Sequence, residues 1–441
     1  MLALFGLSLA APEPAVSPTI AHPSSPAHIG GVRLPDCFGD LLGKSAGAQW
    51  WYLAGHAQLE DSHELLSIFV LILRSRGKLG ITETVTNLGV GDPRDGRERY
   101  HHFQGLGGGS ITGPTWRNFS VAASAIGIPM GKFAYSYLGG GDGLGLRGGT
   151  YRLEASARAT TEEAGREPAK TNVQLELGLE DERGTMLEGY GGAILDTYEF
   201  AQPQLRVVSG RLSIGSEELR ITNGSIWNDM QTKFGANSSG AGLPRTYQWV
   251  VLSFLNGVAL QLSSWYDVHP QQWISGEQVG ETARTGTGTL WRSQHAFGWA
   301  YENGGFPLVP RHSCNRTSGT PTPGEFCPYP PDVPWDFSVD LLNSSSPAAS
   351  PHWTSPTTNT TYATALTATF GKRVVEELGY ERVFIYSIVS NTEMTRRAAG
   401  AGVGASSSVE HVGAVRVFDR PREDPAAVLV GTGVLEQYGY N

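Results

Sequence analysis

The segment Gln49–Leu59, QWWYLAGHAQL, is followed by Leu65–Arg74, LLSIFVLILR, and these two stretches decide the fold class. The first has the short length and the aromatic content that are typical of a strand. The second is a nearly continuous apolar run of ten residues, a length that is also compatible with a buried helix. Its Ile, Val and Phe residues favour the strand, so we predict two consecutive β-strands.

The rest of the chain repeats this pattern of short segments between Gly, Pro, Asn and Ser clusters. Thr171–Leu179 alternates between polar and apolar residues, as a half-buried strand does. Asn256 and Gly257 lie between two apolar segments, which strongly indicates a β-hairpin, and Arg211–Ile214 with Leu219–Ile221 is predicted to form another. With 57 Gly and only 17% charged residues, the chain is predicted to be all-β, built as barrels or sandwiches.

A chain of 441 residues is long enough for two large β domains. Residues 1–28 combine a short apolar segment with a Pro-, Ser- and Ala-rich stretch, and we predict a leader and a linker there. We place a hinge in Tyr198–Gly210. It divides the remainder into an N-terminal domain at residues 29–205 and a C-terminal domain at residues 206–441. The C-terminal domain is predicted to begin with the hairpin of Arg211–Ile214 and Leu219–Ile221.

Charge and motifs exclude several classes of function. The net charge is −9 and no basic stripe exists to hold phosphates, so nucleic acid is not predicted as a partner. No apolar run of the sequence is long enough to span a membrane. A GxSxG match around Ser45 lacks the strand–turn–helix context of a nucleophile, and a GxGxxG match at Gly143, Gly145 and Gly148 precedes a strand instead of a helix. The sequence has no His/Cys cluster either, and we predict no metal site and no cofactor.

Several features predict entry into the secretory pathway or secretion. The apolar start is similar to a short signal segment, although it lacks a basic n-region. Cys314 and Cys327 flank a Pro-rich loop and could close a disulfide, which leaves Cys37 over. Six Asn-X-Ser/Thr sequons are predicted glycosylation sites: Asn118, Asn223, Asn237, Asn315, Asn343 and Asn359.

The candidate stretch for the chemistry is Gly224–Gly235, GSIWNDMQTKFG. On an extended strand, Trp227, Asp229 and Gln231 point to one face, which combines an aromatic ring, an acid and an amide. The apolar residues at the ends of Leu219–Ile221 have the same parity, so this face is predicted to be interior. A carboxylate there must be paired, hydrogen-bonded or protonated, so Asp229 is either a satisfied structural acid or a proton donor in a pocket.

One conflict concerns Asn223, whose sequon requires an exposed side chain although its parity matches that of Trp227 and Asp229. A bulge or turn at Asn223 and Gly224 would reset the parity. Without one, either the sequon is unused or the patch lies at the rim of a pocket.

Tryptophan is the most informative residue type, with 11 in the chain. Most of these rings are predicted to fill β cores. Trp50 and Trp51 are adjacent and therefore point to opposite faces of one strand, so at most one of them lines a given cavity. A cavity lined by rings suits a small, apolar, conjugated molecule as substrate. The side chains that we predict to shape it, in addition to Trp227, are Trp51, Tyr198, Trp249 and Trp335.

Four stretches resemble a known family in the order in which they occur along the chain. QWWYLAGH resembles the opening motif of the AttH/CrtC-like, lipocalin-type proteins, and Tyr198–Gly210 resembles their link into the second domain. The segment with Trp227 two residues before Asp229 is similar to a segment of that family, and GAVRVFD and GTGVLEQYGY resemble its last strands. The resemblance implies two lipocalin-like β-barrel or β-sandwich domains with a pocket at or near their junction.

The resemblance also implies one of three functions. The first is a fungal secondary-metabolite cyclase of the Diels–Alderase type, which folds a conjugated polyketide or terpenoid for an intramolecular or hetero-Diels–Alder cycloaddition. The second is a hydratase or dehydratase in which Asp229 protonates an alkene, as the family's carotenoid and kievitone hydratases suggest. The third is a secreted lipocalin-like binding protein. Asn228 and Met230 stand where the family often has His or Glu, which favours a hydrogen-bonding role for Asp229 over acid catalysis.

Overall fold

In the computed structural model, the chain is nearly all-β. The structure describes residues 28–29, 32–33, 48–62, 64–76, 82–96, 98–115, 118–126, 131–140, 149–163, 165–181, 186–188, 197–233, 246–266, 284–292, 306–308, 336–342, 351–354, 361–388, 393–396 and 408–438. Within these residues it forms 25 strands, one short α-helix and a 3-10 turn at Arg94–Gly96. The predicted all-β class is therefore confirmed.

The first large sheet closes into a barrel. A small sheet of β1 (His28–Ile29) and β2 (Val32–Arg33) comes before it in the chain. The strands of the large sheet are β3 (Ala48–Leu59), β4 (Leu65–Arg76), β5 (Thr82–Asp92), β6 (Arg99–Thr115), β7 (Asn118–Ile126), β8 (Lys132–Gly139), β9 (Thr150–Glu163), β10 (Ala169–Asp181), β11 (Met186–Glu188), β12 (Thr197–Ile214) and β13 (Glu217–Lys233). Neighbours in the chain pair antiparallel from β3 to β10, β3 also pairs with β13, and β10 with β12. These last two pairings close the ring, and its apolar interior is the largest of the three buried apolar clusters in the described residues.

The second large sheet has ten strands. The elements of this part of the chain are β14 (Thr246–Phe254), β15 (Val258–Tyr266), β16 (Arg284–Arg292), β17 (Phe306–Leu308), β18 (Phe337–Leu341), β19 (His352–Thr354), β20 (Thr361–Ala363), β21 (Ala365–Phe370), α1 (Lys372–Leu378), β22 (Arg382–Ser387), β23 (Glu393–Arg396), β24 (Ser408–Phe418) and β25 (Leu429–Tyr438). β19 and β20 form a separate pair. The helix α1 covers one side of a second core through its buried Val374 and Leu378.

The local sequence predictions agree well with these elements. Gln49–Leu59 and Leu65–Arg74 lie in β3 and β4, so the apolar run is a strand and not a helix. The hairpin at Asn256 and Gly257 joins β14 to β15, with Gly257 at a φ of 90°. Positive φ at that position is the reason that the turn needs glycine.

The chain changes sheet between Lys233 and Thr246. The predicted hairpin forms, with Leu212 opposite Leu219, but its strands β12 and β13 lie in the first sheet and do not open the second. Pairing with β10 and β3 holds both strands in the barrel. Sheet membership does not test independent folding, so the domain division at residues 205 and 206 stays a prediction.

A β-bulge in β13 decides which way the candidate stretch faces. The register between β13 and β3 shifts between Ile221 and Asn223. Gly224 has a φ of 152°, and its N–H donates to Asn223 Oδ1 at 2.8 Å. The shift moves Trp227 and Asp229 to the outer face of the barrel, while Ile221 stays in the interior core. The prediction that they share one face with Leu219–Ile221 is therefore wrong, and the alternative of a parity-changing bulge is confirmed.

Charged groups close one end of the barrel. Asp92 is fully buried there and its Oδ2 lies 2.8 Å from Nη2 of Arg94 and 3.4 Å from Nη2 of Arg99. Arg94 also pairs with Glu217 at the start of β13. Burial by itself would raise the pKa of Asp92, but the hydrogen bonds from Arg94 and the charges of both arginines outweigh it and lower that pKa. We call this group the Asp92 cluster.

We expect Asp92→Asn to lower the free energy of unfolding by about 3 kcal/mol at neutral pH, because it removes one partner of a buried ion pair. The folded-state pKa of Asp92 is lowered, so the stabilisation is present above about pH 4 and is lost as the pH falls through that pKa. Denaturant unfolding at pH 7 and pH 3 should therefore show a difference between wild type and variant that shrinks in acid. The exposed Asp95, which pairs with Arg99, offers the matched control Asp95→Asn. Equal losses in the two variants would contradict the prediction.

Candidate functional site

The outer face of the barrel packs against the second sheet. The backbone N–H of Ala414 in β24 donates to Ser67 Oγ in β4 at 3.0 Å. Ser253 Oγ in β14 donates to the carbonyl of Pro203 in β12 at 2.8 Å. A third buried apolar cluster, with residues from both sheets, lies between them. We call this region the sheet junction.

Aromatic rings dominate the sheet junction. The ring of Trp249 meets that of Trp227 edge-on, with centroids 6.3 Å apart and an interplanar angle of 87°. It meets Tyr52 in the same way at 5.6 Å and 84°. Tyr52 in turn lies 5.0 Å from Phe69, and Trp50 belongs to the same cluster. We call these five rings the junction cluster. Edge-to-face contacts of this kind hold rings in defined orientations.

Buried polar side chains lie beside these rings. Asp229 is opposite Tyr52 in the β3–β13 register and only 4% exposed. Glu436 is opposite Trp249 in the β14–β25 register and only 2% exposed. Glu436 also shares the face of Val434, a junction residue two positions earlier. The junction thus holds one carboxyl group from each sheet against the same set of rings.

Two amides extend the polar side of the junction. Asn87 in β5 and Gln261 in β15 are both buried, and each follows a junction residue by two positions. Asn87 Oδ1 has no hydrogen-bond partner in the part of the chain that the structure describes. An unpartnered, buried acceptor is uncommon in folded proteins, and it marks a place where a polar group of another molecule would be stabilised.

His56 lies on the same face of β3, towards the edge of the junction. Burial, and after it the positive charge of Arg416 in β24, lower its pKa to about 4. The imidazole is therefore neutral at pH 7 and can accept or donate a hydrogen bond without carrying charge.

The comparisons with known proteins bear on the fold. No protein-family model matches the chain, and no curated protein matches it. An AttH-type protein from Nitrosomonas europaea, known from its crystal structure, superposes with a TM-score of 0.56 and 16% identity. The alignment covers 95% of this chain and 100% of the other. This chain has the AttH-type fold. The resemblance predicted from the sequence is thus confirmed, and at this identity it establishes the fold alone.

Two further crystal structures match this chain more distantly. They are CghA and CghA with Sch210972, each with a TM-score of 0.41 and 9% identity. Each alignment covers 89% of this chain and 88% of the other. That similarity is too low to carry an argument about the site.

The AttH-type fold brings together three of the residues predicted from the sequence. Trp227, Asp229 and Trp249 meet in the sheet junction. Trp51 does not join them, because it points into the barrel and is fully buried there. Its neighbour Trp50 is the one that reaches the junction, in agreement with the opposite directions of adjacent strand residues.

Other predicted residues are placed by their backbone only or lie outside the described residues. Gln231 is opposite Trp50 in the β3–β13 register, and Tyr198 is opposite Thr232 in the β12–β13 register. Asn118 begins β7, and Asn223 is exposed at the bulge. The following predictions fall outside the described residues: Trp335, Asn237, Asn315, Asn343, Asn359 and the pair Cys314 and Cys327. Their roles in substrate binding, glycosylation and a disulfide stay predictions.

The sequence analysis missed Tyr52, Asn87, Gln261 and Glu436. A local signal existed only for Glu436, an acid that directly follows the apolar pair Val434 and Leu435 in the final strand. The others look like ordinary polar residues of half-exposed strands until the second sheet covers them. Among the described residues, no group of three or more His, Cys, Asp or Glu could hold a metal ion. No helix in the described ranges is long and apolar enough to cross a membrane.

Proposed function

We propose that this protein is an enzyme that cyclises a conjugated, largely apolar molecule by a Diels–Alder-type reaction at the sheet junction. The observation that supports this most is the junction cluster, in which edge-on rings from both sheets lie beside the buried Asp229 and Glu436. The AttH-type fold is consistent with it, since the resembled family includes Diels–Alderases.

The chemistry requires shape more than reactive groups. An intramolecular cycloaddition proceeds when the diene and the dienophile of one chain are held together, which removes much of the entropic barrier. Trp227, Trp249 and Tyr52 would hold the folded chain through their ring faces and edges. A hydrogen-bond donor on a conjugated carbonyl would stabilise the charge that develops on its oxygen. A protonated Asp229 carboxyl group is suited to that role because it lies beside these rings.

A specific observation favours hydration of an alkene as the second candidate. Two buried carboxyl groups beside one set of rings match the needs of acid–base chemistry. Asp229 would donate a proton to the alkene, the face of Trp227 would stabilise the carbocation, and Glu436 would take a proton from the attacking water. A binding protein without catalysis is the third candidate.

One experiment separates the three functions. Purified full-length protein is incubated with a linear polyene that carries a tethered dienophile, and separately with a prenylated phenol. A cyclase speeds the conversion of the polyene to an isomer of unchanged mass and fixes its stereochemistry. A hydratase adds the mass of one water to the prenyl group, whereas a carrier returns both compounds unchanged. Polyene conversion at the background rate would contradict the proposal.

A further inference from the structure

The barrel interior contains a buried polar network that the junction chemistry does not use. Tyr135 Oη donates to Gln202 Oε1 at 2.8 Å, and Asn228 Nδ2 donates to the same oxygen at 2.7 Å. Gln202 Nε2 donates to Asp181 Oδ2 at 3.2 Å. All four side chains are buried. Burial, and then the neighbouring Tyr151 and Asp181, raise the pKa of Tyr135, so its hydroxyl remains neutral.

Four further polar atoms point into the same interior without a hydrogen-bond partner among the described residues. They are Trp51 Nε1, Thr84 Oγ1, Thr86 Oγ1 and Asn228 Oδ1, on side chains that are at most 1% exposed. Each such atom lowers the free energy of unfolding by about 1 to 3 kcal/mol when neither water nor protein forms a hydrogen bond with it. Four of them in one interior mark places where a bound molecule or ordered water would supply the missing hydrogen bonds.

The strand registers place Trp51 and Thr86 at one polar level of the barrel, with Thr84 two positions to one side of it and Asn228 two positions to the other. Trp51 in β3 is opposite Ile72 in β4, and Ile72 is opposite Thr86 in β5. On its other side, Trp51 is opposite Met230, two positions from Asn228 in β13. The Asp92 cluster lies at the far end of β5 from Thr84, so the polar level belongs to the other half of the barrel.

Apolar side chains lie between Trp51 and Thr86 on one side and the closed end on the other. Leu53, Val70, Leu88 and Phe103 form a row across β3, β4, β5 and β6 and belong to the interior core. A molecule in this interior would therefore meet hydrocarbon at one end and hydrogen-bonding groups at the other. Buried Arg74 and Asp181 carry opposite charges in the same half of the barrel, so the surroundings do not favour a charged head group.

We propose that the barrel interior is a second binding site, for a neutral apolar molecule with an amide head group. The indole N–H of Trp51 only donates, and the amide oxygen of Asn228 only accepts. A primary amide satisfies both, since its carbonyl accepts and its NH₂ donates, and the threonine hydroxyls can serve either partner. This site is separate from the sheet junction, because Trp51 and Asn228 point inward while Trp50 and Asp229 point outward from the same two strands. It does not depend on the proposed cyclase function.

Binding of decanamide to the full-length protein tests this site, with decanoate and decane as matched probes, by calorimetry and native mass spectrometry. We expect one decanamide per chain, bound at least about tenfold more tightly than either other probe, a difference of about 1.4 kcal/mol. Thr86→Val, which keeps the shape and removes one unpaired hydroxyl, should weaken decanamide binding about tenfold and leave the ligand-free protein equally or more stable.

Two variants control for location. Thr222→Val alters an exposed threonine of β13 and should change neither stability nor binding. Asp229→Asn alters the junction and should leave decanamide binding unchanged. Absence of binding by folded wild-type protein would mean that the interior holds ordered water only, and would overturn the proposal. So would equal affinity for decane, or a loss of affinity in Asp229→Asn but not in Thr86→Val.

Discussion

Replacing Asp229 by Leu should slow cyclisation of the polyene about 100-fold, whereas Asp229→Asn should keep the rate within about tenfold of wild type. Leucine fills the space but cannot donate a hydrogen bond to the developing oxyanion. Asparagine retains an N–H donor at the same position beside Tyr52. The measurement is the initial rate of isomer formation under conditions where substrate is limiting, so that kcat/KM reports on the transition state.

The same pair of variants separates cycloaddition from acid catalysis. If Asp229 delivers a proton to an alkene, the amide of asparagine cannot replace it. The hydration rate of both variants should then fall by a factor of about 100 to 10,000. Glu436→Gln should then be similarly impaired, since the base is lost, whereas a cyclase should tolerate it. Glu218→Leu, at an exposed position of the same strand, controls for surface effects. A near-normal rate in Asp229→Leu would exclude both mechanisms at this residue.

Gly55→Ala should lower the free energy of unfolding by about 3 kcal/mol, among the largest losses expected from one added methyl group. A Cβ at Gly55 would lie 2.0 Å from the carbonyl oxygen of Ser225 and 2.9 Å from Cα of Ile226. Both obstacles are backbone of β13, directly after the bulge, so no side chain can rotate away. The clash can be relieved only if β3 and β13 separate, and both strands contribute side chains to the barrel interior and to the sheet junction.

The controls for Gly55 use other glycines. Gly433→Ala places its Cβ 1.9 Å from the carbonyl oxygen of Val251 and should be similarly costly. A Cβ at Gly165 would have no atom within 4 Å, so Gly165→Ala is strained only by its φ of +76°. We expect it to lower the free energy of unfolding by about 1 kcal/mol. Denaturant unfolding gives the three free energies, and the fluorescence of Trp227 and its neighbours should change in Gly55→Ala and not in Gly165→Ala. Equal losses at Gly55 and Gly165 would show that the close approach of the backbones is not what makes glycine necessary.

Local sequence patterns predicted the strands well because the alternation and the amino-acid composition of a strand can be recognised from consecutive residues. The apolar run of β4 and the Asn256–Gly257 turn are examples, since each depends on residues that are neighbours in the chain. The choice of Gly224–Gly235 as the candidate stretch also came from such neighbours, Trp227 and Asp229. The structure brings both of them to the junction.

What the sequence could not predict depends on pairing between distant residues. One extra residue at the bulge turned Trp227 and Asp229 from the barrel interior to its outside, and only the register with β3 shows it. Glu436 reaches the same rings from the far end of the chain because β25 pairs with β14.

The sequence by itself determined that the protein is all-β, where most of its strands run and which stretch merits attention. The tertiary structure alone decided which face of each strand is buried against what. It placed Trp50 instead of Trp51 at the junction, and it gathered the unpaired atoms of Trp51, Thr86 and Asn228 inside the barrel. The physical reason is that alternation along a strand defines two faces, while closure of the barrel and packing of the sheets determine what each face meets.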